Sequence, residues 1–210
     1  VMGNIVGRQI YISSFQREII NGTILGDGRI ECRSKGIRVF PLTARLRMHQ
    51  GESQKDYLYW KYQILRDFVS QKPKRIICGK NHQGDKNYYS WYFHTITTEF
   101  FGELYQKFYL YGYKIVPKNI SHILTPLSLT VWYMDDGCFS QGTAILNTQN
   151  FSFNEQKILR KNLKEKFNLR ATINKDRDRW RLRIKKEDFS RFRNLVEDYV
   201  IPSMRYKLSP

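Results

Sequence analysis

Residues 132–137 read WYMDDG, and the conformation around the two adjacent acids Asp135 and Asp136 decides which fold the chain has. The preceding segment starts at Pro126 and continues with apolar residues and no internal turn. Proline is favoured in the first turn of a helix, and Gly137 stands where a helix ends. The pattern therefore predicts a helix over 126–136 that stops at the acids.

The four residues YMDD within this stretch are also typical of the reverse-transcriptase palm, where two aspartates on a hairpin hold metal ions. A palm hairpin needs short strands on both sides of the acids and a third aspartate on a neighbouring strand. A palm with its fingers also needs more than the 210 residues of this chain. The proline at a helix-start position and the single apolar face favour the helix over the polymerase hairpin.

A second stretch has the same form. Residues 14–26, SFQREIINGTILG, have helical spacing and are followed by Asp27 and Gly28, where a glycine predicts a left-handed helix cap. From each of these two helices the chain repeats the order helix, hairpin, helix, hairpin, helix. The predicted helices are 14–26, 53–69 and 98–111, then 126–136, 154–167 and 187–199. The repeat predicts two related halves of an α+β protein, divided as residues 1–113 and 114–210.

The charge of the chain indicates its partner. The formal net charge is +17 and the sequence pI is about 9.8, a field that attracts polyanions, nucleic acid above all. A merely basic, soluble surface is the alternative. No amphipathic basic helix or apolar run of membrane-spanning length is present, so no membrane partner is expected. Three widely spaced cysteines argue against a disulfide framework and against a zinc site, and predict a reducing, intracellular location.

Asp27 and Asp136 are candidate metal ligands because each follows a helix whose last carbonyls carry partial negative charge. Two such helix ends side by side would repel unless a divalent cation lay between them, and an oxygen-only site suits Mg²⁺. Gly22 and Gly26, four residues apart, would let the first helix approach a partner closely. An ordinary Asp-Gly turn explains one copy well, but two matching copies favour the metal site.

Basic strands are predicted in both halves. In NKDRDRWRLRIKK, cations alternate with apolar residues, and a period of two puts five cations on one strand face, able to contact phosphates or guanine. Residues 29–48 repeat the theme, and the hairpin over 74–97 adds two lysines. The candidate DNA-binding cations are Arg29, Arg33, Lys35, Arg38, Arg45, Arg47, Lys80, Lys86, Arg177, Arg179, Arg181, Arg183 and Lys185.

Other residues leave alternatives open. Asn147 and Gln149 either contact bases from a strand of the second sheet or have a structural role. The aromatic strand 88–93 either stacks on bases or, more simply, faces the core. The four histidines lack metal-site spacing, which favours solvated or packing roles over metal binding.

The two motifs, INGTILGDG (20–28) and LTVWYMDDG (129–137), resemble those of the LAGLIDADG homing endonucleases, in the branch that carries both motifs in one chain. The resemblance extends over nearly the whole chain. YLYWKY and ELYQKFY are typical of the first half of that branch, and KIVPKNISHILTPLSLTVWYMDDG, AILNTQNFSFNEQKIL and PSMRYKL of the second.

This resemblance implies a pair of pseudo-symmetric αββαββα halves, with the motif helices packed at the centre and saddle-shaped antiparallel sheets along the DNA. Carried onto this sequence, Asp27 and Asp136 would bind Mg²⁺, with Mn²⁺ as a substitute, and Gly26 and Asp135 would lie beside them as further metal-site residues. Lys114 and Lys207 would be the supporting basic residues, which orient the water or offset charge on the scissile phosphate. The expected activity is cutting of both strands of a long asymmetric DNA site by a monomer, with 3′ overhangs and a role in intron mobility.

The leading alternative is an RNA maturase that uses the same basic saddle to help an intron fold, without cleavage. Intron RNA would then be a further partner, and a plain DNA-binding protein is a third interpretation. Retention of both Asp27 and Asp136 favours the nuclease, because a pure maturase needs neither. The sequence does not distinguish a mitochondrial, chloroplast or bacterial location.

Overall fold

The computed structural model describes residues 11–32, 44–80 and 84–208, so the candidates Arg33, Lys35 and Arg38 lie outside the described residues. The first half follows the predicted order of helices and hairpins. Its elements are α1 (Ser14–Leu25), β1 (Arg29–Cys32), β2 (Ala44–Gly51), α2 (Lys55–Ile64), β3 (Lys74–Lys80), β4 (Asn87–His94) and α3 (Glu99–Phe108).

A short connection leads into the second half, which repeats the same order. The connection contains β5 (Tyr109–Leu110), β6 (Tyr113–Lys114) and α4 (Ile120–Ile123). The second half contains α5 (Pro126–Asp136), β7 (Gly137–Ser140), β8 (Thr143–Leu146), α6 (Phe153–Phe167), β9 (Ala171–Asp176), β10 (Arg179–Ile184) and α7 (Phe189–Val196). The predicted boundary between residues 113 and 114 falls inside β6, and it stays a prediction.

The two sheets have the same topology. Their antiparallel strands run in the order β1-β2-β4-β3 in the first half and β7-β8-β10-β9 in the second. In each half the third helix of the repeat and the helix between the hairpins contact the sheet, so helices cover one sheet face and leave the other to solvent. The α+β class and the αββαββα repeat are confirmed.

Local sequence fixes where the two central helices begin. Ser13 and Gln16 form a capping box at the start of α1, and Thr125 and Ser128 form another at the start of α5. Pro126 occupies the first turn of α5, as predicted. Helix α1 ends at Leu25, shortly before the pair Asp27-Gly28, and helix α5 ends at Asp136, directly before Gly137.

The predicted left-handed cap at Gly28 is wrong. Helix α1 ends at Leu25, and Gly28 is not among the described residues with positive φ. A Cβ at Gly28 would instead lie 2.5 Å from Thr23 Cγ2 and 2.6 Å from the Thr23 carbonyl oxygen. Glycine is therefore required here for space, because the chain turns back tightly against its own helix.

Helices α1 and α5 pack against each other through the predicted glycine face. A Cβ at Gly22 would lie 2.4 Å from the main-chain oxygen of Ser128, and a Cβ at Gly26 would lie 2.4 Å from the Cβ of Asp135. On its other side, α5 buries Trp132 and Tyr133 completely. The close crossing brings the C-terminal ends of both helices, with their acids, to one place in the centre of the protein.

Candidate active site

Asp27 and Asp136 meet where α1 and α5 end. Asp27 is exposed, Asp136 is half-buried, and their carboxyl groups are close enough to share a hydrogen bond. Burial raises the pKa of Asp136 well above its ordinary value, and the carboxylates of Asp27 and Asp135 raise it further. The structure thus brings the two predicted motif acids together as a pair that resists carrying two negative charges.

Asp135 has a different environment from its neighbour. Its carboxylate is inaccessible to solvent and accepts hydrogen bonds from Lys61 Nζ at 2.7 and 2.9 Å. Gln50 Nε2 donates to Asp135 Oδ1 at 3.1 Å and also to Asp27 Oδ2 at 3.0 Å. Burial raises the pKa of Asp135 to about 6, although the ammonium group of Lys61 opposes that rise. With its carboxylate occupied in this way, the side chain of Asp135 is not available as a metal ligand.

Lys114 and Lys207 lie at equivalent places on the two motifs. Lys114 Nζ donates to the main-chain oxygens of Gly26, at 2.7 Å, and Gly28, at 3.0 Å. Lys207 Nζ donates to the main-chain oxygens of Met134 and Asp135. Each cation therefore offsets the partial negative charge at the end of one motif helix.

Both lysines are held within the protein. Burial lowers the pKa of Lys114 and of Lys207, while the nearby aspartates counteract that effect. Lys207 is further fixed because the hydroxyl of Tyr133 donates to its main-chain oxygen at 2.6 Å. Their ammonium groups thus stand beside the acid pair at fixed positions.

The donor atoms at this place suit a hard divalent cation. Asp27 and Asp136 supply carboxyl oxygens that lie close together, and the main-chain oxygens of the preceding residues, Gly26 and Asp135, each accept a hydrogen bond from a lysine. Within the described ranges no three histidine, cysteine or acidic side chains are grouped as a metal site, so protein side chains would supply only part of a coordination shell. That fits Mg²⁺, which keeps several waters and takes phosphate oxygens as further ligands.

The solvent-facing side of the first sheet carries several of the predicted DNA-binding residues. On β2, Arg45 and Arg47 alternate with fully buried apolar residues, and both contact Glu31 on β1, at 2.9 and 3.6 Å. Arg29 is exposed and lies opposite Arg47 in the strand register. Further along this sheet, Lys80 ends β3 and Lys86 directly precedes β4.

The second sheet carries three arginines on one strand, not the predicted five cations. Arg179, Arg181 and Arg183 alternate with Trp180, Leu182 and Ile184 along β10, and the latter two are buried. Arg177 instead lies in the β9–β10 turn with φ of 56°. Lys185 follows the end of the strand and lines a groove of about 380 Å³ with basic residues of α6 and with Arg170. The prediction of one strand with five cations is therefore wrong. The alternation of cations with other residues continues through the β9–β10 turn and past the end of β10, so it does not mark where the strand begins and ends.

The two polar residues predicted to contact bases, Asn147 and Gln149, differ in their contacts. The main-chain nitrogen of Asn147 donates to the main-chain oxygen of Asp136 at 2.9 Å. Gln149 Nε2 donates to Asp176 Oδ2 at 2.7 Å, so its amide already has a partner in the protein. Contact of either residue with bases stays a prediction.

Sequence reasoning missed several residues of the site and its surface. Gln50 and Lys61 contact the acids, and the signal for Lys61 is a lysine within the apolar stripe of α2 between Leu58 and Tyr62. His49 and His94 lie on the same sheet face as Arg47, as the period of two along β2 and the pairing of Arg47 with His94 indicate. Burial lowers the pKa of both histidines, which keeps them neutral near pH 7.

The helices of the described ranges contain no segment that is both long enough and apolar enough to cross a membrane.

Comparison with known proteins gives relatives over most of the chain. Residues 17–192 match the model of the LAGLIDADG DNA endonuclease family. The chain is 31% identical to the cytochrome b mRNA maturase bI2 of Saccharomyces cerevisiae over 90% of its own length, but spans only 46% of that protein. It is 30% identical to the DNA endonuclease I-ChuI of Chlamydomonas applanata, over 92% of this chain and 94% of that protein.

A solved structure gives the same result. The homing endonuclease I-WcaI bound to its DNA recognition sequence is 28% identical to this chain, with a TM-score of 0.84 over 95% of this chain and 88% of that one. The family match covers the two motif helices, both sheets and the paired acids described above. The chain therefore belongs to the LAGLIDADG DNA endonuclease family.

Proposed function

We propose that this chain is a sequence-specific endonuclease that cuts both strands of a long, asymmetric double-stranded DNA site with the help of a divalent metal. The observation that carries the proposal is the meeting of Asp27 and Asp136, one acid from each half, between two sheets whose open faces carry arginines. The net charge of +17 supports a polyanionic partner. The relatives named for DNA cleavage, and the structural relative bound to DNA, support the same activity.

Asp27 and Asp136 would hold the metal, which we propose is Mg²⁺ with Mn²⁺ as a substitute. When bound, such a metal activates a water and stabilises the leaving oxygen of the phosphodiester. Lys114 and Lys207 would keep the main-chain ends of the motif helices in place. Their positive charge would also offset the negative charge that develops on the phosphate.

The basic sheets would bind the duplex on both sides of the acids. Arg29, Arg45 and Arg47 would contact DNA from the first half, and Arg179, Arg181 and Arg183 from the second. Because the halves differ in sequence, one chain can recognise an asymmetric site without dimerising. Staggered cuts with 3′ overhangs, and a part in intron mobility, complete the proposal.

A second candidate function is RNA maturation, which the similarity to two cytochrome b mRNA maturases favours. The same basic surfaces would then bind intron RNA, with or without DNA cleavage. Both acids are present, and they have no use in a protein that only binds RNA.

The test is incubation of the protein with a DNA library that contains candidate intron-insertion sites, in Mg²⁺, Ca²⁺ or EDTA. Cutting at one or a few sites in Mg²⁺, and none in EDTA, is expected. Specific binding without cutting in Mg²⁺ would reject the nuclease and favour the maturase.

A further inference from the structure

We propose that Lys61, Asp135 and Gln50 form a buried relay that positions the carboxylate of Asp27 for metal binding. This inference rests on the proposed nuclease function and deepens it, because it assigns a task to three residues that would neither bind metal through their side chains nor contact DNA.

The first contact of the buried relay is an ion pair in the protein interior. Lys61 Nζ lies 2.7 and 2.9 Å from the two oxygens of Asp135, and the side chains are 1% and 0% exposed. The ammonium group of Lys61 also lies 4.3 Å from the ring centroid of Tyr57. Burial of two charges is costly and weak evidence for stability, so a pair held in this way is better explained by a positional task.

The second contact is the amide of Gln50, which is 5% exposed. Its nitrogen lies 3.1 Å from Asp135 Oδ1 and 3.0 Å from Asp27 Oδ2. An amide nitrogen has two hydrogens, so these two carboxylates use both of its donors. Two carboxylates also fix which way the amide faces, because its oxygen would be repelled by both. Asp135 therefore anchors Gln50, and Gln50 holds Asp27.

The space for this arrangement comes from the first motif. Gly26 stands at the position before Asp27, just as Asp135 stands before Asp136. A Cβ at Gly26 would lie 2.8 Å from Asp135 Oδ2, so only glycine leaves room for the Asp135 carboxylate. An acid contributed by the second motif thus reaches across the helix crossing toward the acid of the first.

At the position of the second half that corresponds to Gln50, the described chain has a hydroxyl rather than an amide. Extending the β1–β2 register by one residue places Met48 opposite Gly28, and Leu146 lies opposite Gly137. Two residues further along the chain are Gln50, still on β2, and Thr148, just past the end of β8. The hydroxyl of Thr148 donates instead to Gln156 Oε1 at 2.7 Å, away from the acids. The buried relay is therefore asymmetric and serves Asp27.

The test replaces the ion pair with apolar groups of similar shape. Leucine has the shape of aspartate without its acceptors, and replacing a buried ion pair by apolar residues is often neutral or stabilising. We expect the double variant Lys61→Met, Asp135→Leu to unfold within a few degrees of the parent protein. We expect its affinity for Mn²⁺, measured by electron paramagnetic resonance, to fall about 10- to 100-fold, the usual effect of losing a partner that orients a metal ligand.

Gln50→Leu should reproduce this loss of Mn²⁺ affinity, and in both variants one DNA strand should be cut more slowly than the other, leaving nicked DNA. The control is Asp188→Asn, which weakens a different ion pair, between the buried carboxylate of Asp188 and the partly exposed Arg170. It should lower the unfolding temperature without changing Mn²⁺ affinity or the ratio of strand cutting rates.

The outcomes separate this inference from the proposed function. Unchanged Mn²⁺ affinity and equal strand rates in a folded double variant would overturn the buried relay alone. Mn²⁺ binding that depends on the buried relay in a parent protein that cuts no DNA would support the relay and reject the nuclease. A parent protein that neither binds Mn²⁺ nor cuts DNA would overturn both.

Discussion

Gly22 lies directly against the main chain of Ser128, where a Cβ would stand 2.4 Å from the carbonyl oxygen. Backbone cannot move away as a flexible side chain can, so this contact sets how closely α1 and α5 approach. The distance between the helices in turn sets the distance between Asp27 and Asp136.

Gly22→Ala should therefore destabilise the protein. Alanine gains about 1 kcal/mol of helix propensity over glycine. Overpacking costs about 1–3 kcal/mol, and more where backbone must shift. We expect a net loss of at least about 1 kcal/mol in the free energy of unfolding, measured by urea denaturation. Gly51→Ala is the matched control, since a Cβ there meets nothing within 4 Å. Equal stability of the two variants would contradict the close crossing.

Removing one acid of the pair should relieve repulsion when no metal is bound. In EDTA, Asp136→Asn should unfold at the same temperature as the parent protein or a few degrees higher, because burial and Asp27 disfavour the charged form of Asp136. Mg²⁺ should raise the unfolding temperature of the parent protein more than that of the variant. A variant stabilised by Mg²⁺ as much as the parent would show that Asp136 does not hold the metal.

The arginines of β10 should contribute to DNA binding through charge. Each phosphate contact removed should reduce the slope of log affinity against log salt by about 0.9. We expect the combined change of Arg179, Arg181 and Arg183 to glutamine to lower that slope by roughly 2–3 if all three contact phosphates. Arg193→Gln on α7, where Arg193 pairs with Glu197, is the control. If the slope stays unchanged while the binding free energy falls by about 1–3 kcal/mol per arginine, the arginines contact bases instead of phosphates.

Asp188 should make stability depend on pH. Hydrogen bonds from the side chain and main chain of Arg170 hold the pKa of Asp188 well below its usual range. A carboxyl with a lowered folded-state pKa stabilises the protein above its unfolded pKa, near 3.9, and that contribution is lost as the pH falls below this value. Thermal unfolding between pH 7 and pH 3 should show a smaller decrease for Asp188→Asn than for the parent protein. Parallel curves would contradict the assignment.

Much of the fold follows from local sequence. Pro126 and the capping residues Ser13 and Thr125 place the starts of the central helices, and the period of two along β2 places Arg45 and Arg47 on one face. These signals act within a few residues, so they can be recognised without knowledge of the rest of the chain.

Features that depend on contacts between distant segments could not be predicted. Lys61 and Asp135 are 74 residues apart and meet only because side chains of α2 reach α5, where the hydroxyl of Tyr57 also donates to the main-chain oxygen of Val131. The β9–β10 turn was missed for another reason. Arg177 adopts the left-handed conformation without a glycine to indicate it, while the alternating pattern of charge continues without a break.

The central claim is that two acids, one from each motif, support cleavage, and that Asp136 rather than Asp135 is the acid of the second motif. The most direct measurement is single-turnover cutting of the target site in Mg²⁺ by the parent protein, Asp136→Asn and Asp135→Asn, with DNA affinity measured in Ca²⁺. We predict that Asp136→Asn abolishes double-strand cutting with affinity largely intact, and that Asp135→Asn retains slower cutting. Greater damage from Asp135→Asn, or full cutting by Asp136→Asn, would contradict the account.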